Sequence, residues 1–441
     1  MRVVCRHLAK RPRPCCRPAT ILTIPLLCLA AAGGAWPQAP PGGATPAVLS
    51  MDQAVAMALD RNQSLRALRL NIDQAKAGRI TAAIKPNPVY TMTNEDFPIF
   101  SPKDMTFSNL RDNQEFLQSV NLTYERGGKR EKRIKVADDT TAVTTQSVSD
   151  SERQLRFQVT QSFIAILLAK SNLEFASAAL KDFTRVVDIN RQRVDAGDIS
   201  QSDFLKISLQ QLQFEQDVSA AQLALVQSKA ALRQFLGYEN VPEDFDVSGD
   251  LAHKPYLVLL DELQRQALVA RPDLMAARSS VTLNDDTVAL AYGNRARDLN
   301  WEVEYKRNGM VNGVGFGVSM EIPIRDRNQG EIARSQAAAR QAREAESATR
   351  VGALTDVVNA YSGLRTNDQV LQLYEKGYLD QATQSRQISS YAYERGAASL
   401  LDLLDAERSY RATQLAYRQA LAAYMVSAEQ VNQAVGTRVL Q

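Results

Sequence analysis

The stretch Gly313-Val314-Gly315-Phe316-Gly317-Val318-Ser319-Met320-Glu321-Ile322 alternates strictly. Its even positions are large and apolar; its odd positions are Gly, Gly, Gly, Ser and Glu. A period of two places every apolar side chain on one face of a strand. Just upstream, Asn300-Trp301-Glu302-Val303-Glu304-Tyr305-Lys306 does the same, with the apolar residues on odd numbers. Alternation over about ten residues with aromatics on one face is the pattern of a membrane β-barrel strand, although a half-buried strand of a soluble sheet reads alike. Trp301, Val303, Tyr305, Val314, Phe316, Val318 and Met320 are the candidate lipid-facing residues, with the aromatics nearer an interface. The three glycines then face a lumen. They do not read as a nucleotide loop, because they follow strand alternation and open no helix.

Only two further strands are legible, at 89–95 and 115–124, separated by a polar, Pro-containing loop, while the later pair spans 299–307 and 313–324. Four strands are too few to close around a lumen, so a barrel would need strands from several protomers. Helix occupies most of the rest. Residues from Met51 to about Ile84 are Ala-rich, follow a possible Ser50 cap and end at Pro86-Asn87-Pro88. From Lys129 to Val194 there is no Pro and no Gly. At ~1.5 Å per residue such a helix is roughly 100 Å long, beyond any ordinary globular domain. Val159, Ile166, Leu173, Leu180, Val187 and Val194 recur every seventh residue, which specifies a left-handed coiled-coil seam. Gly197 suits a left-handed helix stop, and a second helix returns from Ser200 to about Leu236.

The averages conceal this plan. The chain has 441 residues, is 45% hydrophobic and 23% charged, and looks ordinary. Proline is absent from 103 to 241 and from 324 to 441, which marks two long helical stretches. All four cysteines (Cys5, Cys15, Cys16 and Cys28) lie within the first 28 residues. That region has Arg2, Arg6, Lys10, Arg11, Arg13 and Arg17, then the apolar run Ala19–Ala32, then small residues. It reads as a secretory signal peptide over 1–35, cut after Ala32 or Ala35. A lipid-modified Cys28 is the alternative, disfavoured by Leu26-Leu27 before it. Loss of the six leader cations takes the formal net charge from +3 to about −3. The basic balance therefore belongs to the precursor and gives no support to a nucleic-acid partner. The mature chain has no cysteine and needs no disulfides.

The chain also repeats itself. Ala58–Arg69 (ALDRNQSLRALR) reappears as Ala267–Arg278 (ALVARPDLMAAR), and Arg193–Leu205 (RVDAGDISQSDFL) parallels Tyr393–Leu404 (YERGAASLLDLL). Both offsets are about 200 residues, so the mature chain is a duplication, divided as 36–250 and 251–441. Each half reads helix, two strands, long helix, turn, helix.

This pattern resembles the TolC family of outer-membrane efflux ducts over about residues 48–437. The segment Gln118–Arg133 (QSVNLTYERGGKREKR) is similar to the heavy-metal branch of the CzcC type, in which a strand runs into a GGKR helix start. The resemblance implies a mainly α fold with membrane β structure. It implies a homotrimer whose protomers each give four strands to a shared 12-stranded outer-membrane barrel and four helical stretches to a periplasmic α-helical barrel. It also implies a periplasmic adaptor, an inner-membrane transporter often of the RND class, outer-membrane lipid around the strands, and no catalysis. Heavy-metal cations are the expected cargo, with drugs or secreted protein as the alternative.

In that family the two helix–helix turns form the periplasmic tip, here Gly197 and Ser200 in one half and Gly396 and Ser399 in the other. Asp402 and Asp405 match tip aspartates, and Asp203 and Tyr393 match positions that link neighbouring helices. A ring of such carboxylates would attract cations and raise the members' pKa values. A plainer reading stands beside it: Ser200-Gln201-Ser202-Asp203 and Ser399-Leu400-Leu401-Asp402 are both Ser-x-x-Asp helix starts, and capping alone explains Asp203 and Asp402. Asp405 lies past the first turn, where capping gives no reason for it. Ala398 stands where relatives carry a basic partner.

Gly127-Gly128-Lys129-Arg130 is not a phosphate loop, because the earlier Gly and the Ser/Thr after Lys are missing. These cations at a helix start oppose its dipole and read as a solvated or headgroup-level collar at the barrel–tunnel junction. His253 is the one histidine of the mature chain. One His and no Cys give neither a His-paired nucleophile nor a soft-metal site within a protomer. No cofactor is expected. A periplasmic coiled-coil structural or adaptor protein is the different-class alternative, but an adaptor's lipoyl-like β-domain is not legible.

Overall fold

The computed structural model describes residues 48–96, 103 and 106–440. The leader over 1–35 and most of the loop after the first long strand lie outside the described residues. In chain order the elements are β1 (Val48–Leu49), α1 (Met51–Arg61), α2 (Gln63–Ala83), β2 (Val89–Glu95), α3 (Phe107–Asn113), β3 (Glu115–Tyr124), α4 (Lys129–Asp195) and α5 (Gln201–Leu236). The second half follows as β4 (Asp246–Val247), α6 (Leu260–Ala270), α7 (Pro272–Asn294), β5 (Leu299–Asn308), β6 (Val311–Met320), α8 (Gln329–Leu373), α9 (Leu379–Glu394) and α10 (Leu400–Val435). A π-helical turn, Tyr374–Tyr378, joins α8 to α9.

Several boundaries differ from the sequence expectation. The first helix is two helices, because Asn62 leaves helical geometry and caps α2 through a bond from Leu65 N to its Oδ1 (2.9 Å). The loop after β2 contains the short helix α3. The last strand covers 311–320 rather than 313–324. A two-residue Gly309-Met310 turn starts it early, and Pro323, with no N–H to donate, lies beyond its end.

The two halves of the chain are alike in hydrogen bonds as well as in element order. Asn62, between α1 and α2, donates from Nδ2 to Phe235 O near the end of α5 (3.1 Å). Its counterpart Arg271, between α6 and α7, donates from Nη1 to Ala434 O near the end of α10 (3.1 Å). Each half therefore ties its broken N-terminal helix to the end of its last helix. The Arg271 side chain is 5% exposed and also binds Asp273 (2.6 Å) and Asp356 (3.0 Å). A buried guanidinium with two carboxylates is satisfied; with either removed it would not be.

Each half has its own core. Leu65, Val159, Phe163, Ile166, Leu232 and Phe245 belong to one cluster, where α1, α2 and α5 pack on the middle of α4. Leu263, Val357, Leu364, Tyr424 and Val431 belong to the other, where α6 and α10 pack on α8. A third, smaller cluster lies towards the α4–α5 turn, with Phe183 and Phe214 stacked at 4.5 Å. The heptad stripe supplies these contacts: Val159, Ile166 and Val187 are buried. By length and composition α4 is apolar enough to cross a membrane. Val159, Phe163, Ile164, Ile166 and Leu167 from it are nonetheless buried within the fold.

The long strands form one antiparallel sheet in the order β2-β3-β5-β6. The collar at the start of α4 is not simply solvated. Lys129 Nζ pairs with Asp298 (2.8 Å), Arg133 pairs with Glu125, and Arg130 Nε donates to Ala83 O at the end of α2 (2.6 Å). Cations that oppose the dipole of α4 thus favour the carbonyl end of α2.

Candidate functional site

Two turns end the helical arms. In the first, Gly197 N donates to Val194 O (2.9 Å) and Asp198 N to Arg193 O (2.8 Å); in the second, Gly396 N donates to Tyr393 O (3.0 Å) and Ala397 N to Ala392 O (2.8 Å). Both glycines have positive φ, +81° and +73°, which closes the spare carbonyls of the helix end. Ser200 and Ser399 then cap α5 and α10, accepting from Asp203 N (3.1 Å) and Asp402 N (3.2 Å).

The aspartates are placed as follows. Asp402 Oδ2 accepts from Ser399 Oγ (2.7 Å) and Ser399 N (3.0 Å), completing a capping box. These bonds hold its carboxyl below the usual range. Asp203 accepts from Lys206 Nζ (3.0 Å) and Ser200 Oγ (2.9 Å), and these hold it low in the same direction. Asp405 stands one turn further on, exposed, with Arg408 of its own helix at 3.6 Å.

Tyr393 lies against α4. Its ring is buried on α9, and its hydroxyl donates to Asn190 Oδ1 of α4 at 2.7 Å. Asn190 is 1% exposed, and its Nδ2 donates to Val186 O (2.7 Å), so both ends of the amide are used. The Arg193 guanidinium lies over the Tyr393 ring, 5.5 Å from its centre. Burial raises the phenol above its ordinary value, and Arg193 opposes that. A cavity of about 250 Å³, lined by Val186, Ile189, Asn190, Arg193, Tyr393 and Leu403 among others, flanks this contact. Further along the arms, Arg386 of α9 bridges Glu407 of α10 (2.7 Å) and Asp182 of α4 (3.6 Å).

Asn190 and Arg193 escaped sequence reasoning. A signal was present: Asn is a poor helix-interior residue, and Asn190 lies three residues after Val187 of the apolar stripe. An amide on a buried face needs a partner, but nothing in the sequence names Tyr393 as that partner.

At the other end of the helices the sheet has two unlike faces. Register aligns Tyr90, Val120, Val303 and Phe316 across the four strands, and Met92, Gln118, Tyr305 and Val314 in the next row of that face. Leu122, Trp301 and Val318 form another such row. Phe316 is 82% exposed, and Trp301, Val303, Tyr305, Val314, Val318 and Met320 are exposed as well. The opposite face carries Ser119, Glu304 and Gly315 in one row and Asn121, Glu302 and Gly317 in the next. An exposed apolar face this broad is not the surface of a monomer in water.

Residues 54–238 and 263–437 match the family of outer membrane efflux proteins. The chain belongs to the outer membrane efflux protein family. It is 25% identical over 390 residues to the cobalt-zinc-cadmium resistance protein CzcC of Cupriavidus metallidurans, covering 88% of this chain and 90% of that one. It is 24% identical over 331 residues to the outer membrane protein TolC of Vibrio cholerae, covering 70% and 72%. Its fold is similar to that of the Campylobacter jejuni CmeC outer membrane channel, with a TM-score of 0.74 at 15% identity over 89% of this chain and 87% of that one.

This efflux protein is an outer-membrane channel of a Gram-negative bacterium with a large periplasmic helical part. It is an exit duct and not an enzyme, and channels of this family work with an adaptor and an inner-membrane pump. Among the described residues no cluster of three or more His, Cys, Asp or Glu side chains is arranged to hold a metal ion.

Proposed function

We propose that three copies of this efflux protein assemble side by side, their sheets closing a 12-stranded barrel and their arms a periplasmic tunnel. The observation that carries this reading is the four-stranded sheet with β2 and β6 at its ends, each adjoining one strand within the protomer. Edge strands left unpaired are a liability, and closure with strands of neighbouring copies removes it. The apolar face with Trp301, Val303, Tyr305, Val314, Phe316, Val318 and Met320 then meets lipid, while Glu302, Glu304 and the glycines face the lumen. The two repeats, 36–250 and 251–441 after a leader at 1–35, build one barrel and tunnel together.

The tip turns at Gly197, Ser200, Gly396 and Ser399 offer the surface for a periplasmic adaptor, and the pump is of the RND class. At the tip, Tyr393 works with Asn190 as the contact that holds the arms closed. Asp402 and Asp203 serve the helix starts, and Asp405, one turn further and loosely paired, supplies the cation-attracting carboxylate. The cargo is a heavy-metal cation; the likeness to the cobalt-zinc-cadmium resistance protein supports this. Ions pass in series through polar surfaces without a tight site.

The mass of the detergent-solubilised complex tests the assembly: three times the mature chain is expected, and a monomer overturns the proposal. A deletion strain challenged with zinc, cobalt, cadmium, copper and a dye panel tests the cargo. Sensitivity to the metals alone is expected; sensitivity to dyes alone assigns the duct to organic compounds instead.

A further inference from the structure

The two arms differ at one place. The first arm, α4, runs unbroken from Lys129 to Asp195. The second is interrupted by the π turn Tyr374–Tyr378, in which Gly377 has φ +135° and ψ −11°. No L side chain adopts that φ without strain, so the interruption is built into the backbone at a glycine. A π turn inside a long helix is a place where it can bend. Beyond it lies α9, which carries Tyr393 and its bond to α4.

The segment between the repeats comes back to this point. His253 places Nε2 2.7 Å from Asp368 Oδ1 on α8, and Nδ1 3.1 Å from Glu375 Oε2 in the π turn itself. Gln372 Nε2 holds the other oxygen of Asp368 (2.8 Å). The imidazole meets the Tyr424 ring of α10 nearly at right angles, with ring centres 4.8 Å apart, and the Tyr424 hydroxyl donates to Lys254 O (2.5 Å). The side chain is 13% exposed.

A neutral imidazole has one donor and one lone pair; only the imidazolium donates from both nitrogens. With a carboxylate against each nitrogen, the neutral ring would turn a lone pair towards one of them. The arrangement is satisfied only by the charged ring. It is also no chelate, because the two carboxylates lie on different nitrogens rather than around one point.

We propose that His253 is a protonation-controlled latch on the second arm: as imidazolium it ties the inter-repeat segment to both α8 and the π turn, and loss of its proton frees the turn at Gly377 to flex. Burial lowers the imidazole pKa, but the hydrogen bonds to Asp368 and Glu375 outweigh it and raise the pKa above its ordinary value. The latch is therefore complete below about pH 6.5 and is lost as pH rises through the raised value. The tyrosines packed nearby titrate well above this range. Tyr424 and Tyr417 of α10 and Tyr256 of the segment are all raised by burial, Tyr424 to about 12. Lys254 and Lys376 adjoin in the chain, Arg418 lies by Tyr417, and Glu429 by Tyr256.

The latch is independent of the cargo and of the barrel proposal, and its test reads neither. His253 is the one histidine beyond the leader, so ring-labelled protein purified without a histidine tag gives a single imidazole signal in NMR. The expected midpoint lies above 6.5, with both nitrogens protonated below it. Glu375→Gln and Asp368→Asn should each lower it by about one unit. Hydrogen exchange over 368–380, corrected for intrinsic rates, should show protection falling about tenfold for each unit the midpoint exceeds 6.5. His253→Gln should show the reduced, high-pH protection at every pH; where that variant fails to assemble, Glu375→Gln should show a smaller loss of protection across its lowered midpoint. A midpoint at or below 6.5, or protection unchanged across the midpoint, overturns the latch.

Discussion

Replacing Tyr393 by Phe is the sharpest test of the tip. The change removes one oxygen and leaves the ring in place, so the Arg193 guanidinium keeps its aromatic surface 5.5 Å away. Asn190 Oδ1 loses the hydroxyl at 2.7 Å, its one side-chain partner. Because Asn190 is 1% exposed, water is not a ready substitute. A buried acceptor left unsatisfied costs about 1–3 kcal/mol. If that energy favours the closed tip, its loss shifts the closed-to-open ratio by about 5- to 150-fold per protomer. Single-channel recordings of the purified protein in planar bilayers read this as a larger open probability. A double-mutant cycle with Asn190→Ala isolates the pair: the two changes together should cost little more than either alone. Open probability within twofold of the unmodified protein in all three variants would refute the tip contact as a closing element.

Three further outcomes follow from the packing. Asp139 on α4 faces Asp286 on α7; burial first, then the hydrogen bond and charge of Asp286, push its pKa up to about 6, while Lys135 helps hold Asp286 ionised. A raised carboxyl favours folding when protonated, so stability falls as pH rises from about 4 to 6 and is level above. The shift corresponds to about 3 kcal/mol at most, and partial solvation reduces it to about 1 kcal/mol. Asp139→Asn should therefore raise the melting temperature at pH 8 and leave it unchanged at pH 4. Arg271→Ala should destabilise by about 3 kcal/mol, because it leaves Asp273 with only Arg153 at 3.9 Å and opens a cavity, whereas Arg271→Met, which loses the same pairing but keeps the volume, should cost less in the same melts. Phe316→Arg should cost about 2–4 kcal/mol and reduce recovery from the outer-membrane fraction; Gly315→Ser, one position away on the opposite face, should be recovered normally.

Sequence periodicity was a reliable guide to what repeats. Strands 89–95 and 115–124 were legible to the residue, set between Pro86-Asn87-Pro88, a polar loop and the long helix, whereas the last strand, read from its alternation as 313–324, runs over 311–320. The long helix and the turn after it were legible because the chain lacks breakers from Lys129 to Asp195 and then places Gly197 and Ser200 together. Single deviations were less visible. The break at Asn62 looks like one more polar residue on a helix until its amide is seen to reach Phe235 O, 173 residues away. The π turn around Gly377 is hidden for the same reason: Gly352 and Gly363 sit in the same Pro-free stretch and remain within α8.

Composition, period and spacing by themselves pointed to a chain of long helices with four amphipathic strands, since each depends on residues close together in sequence. Which side chains meet was decided only by the tertiary structure. Tyr393 finds Asn190 across 203 positions, His253 finds Asp368 and Glu375 across more than a hundred, and Asp203 and Asp402 turn back to their own serines. The physical reason is that helix phase repeats every 3.6 residues along the arms, so small differences in length and crossing set which faces touch, and no local pattern records them.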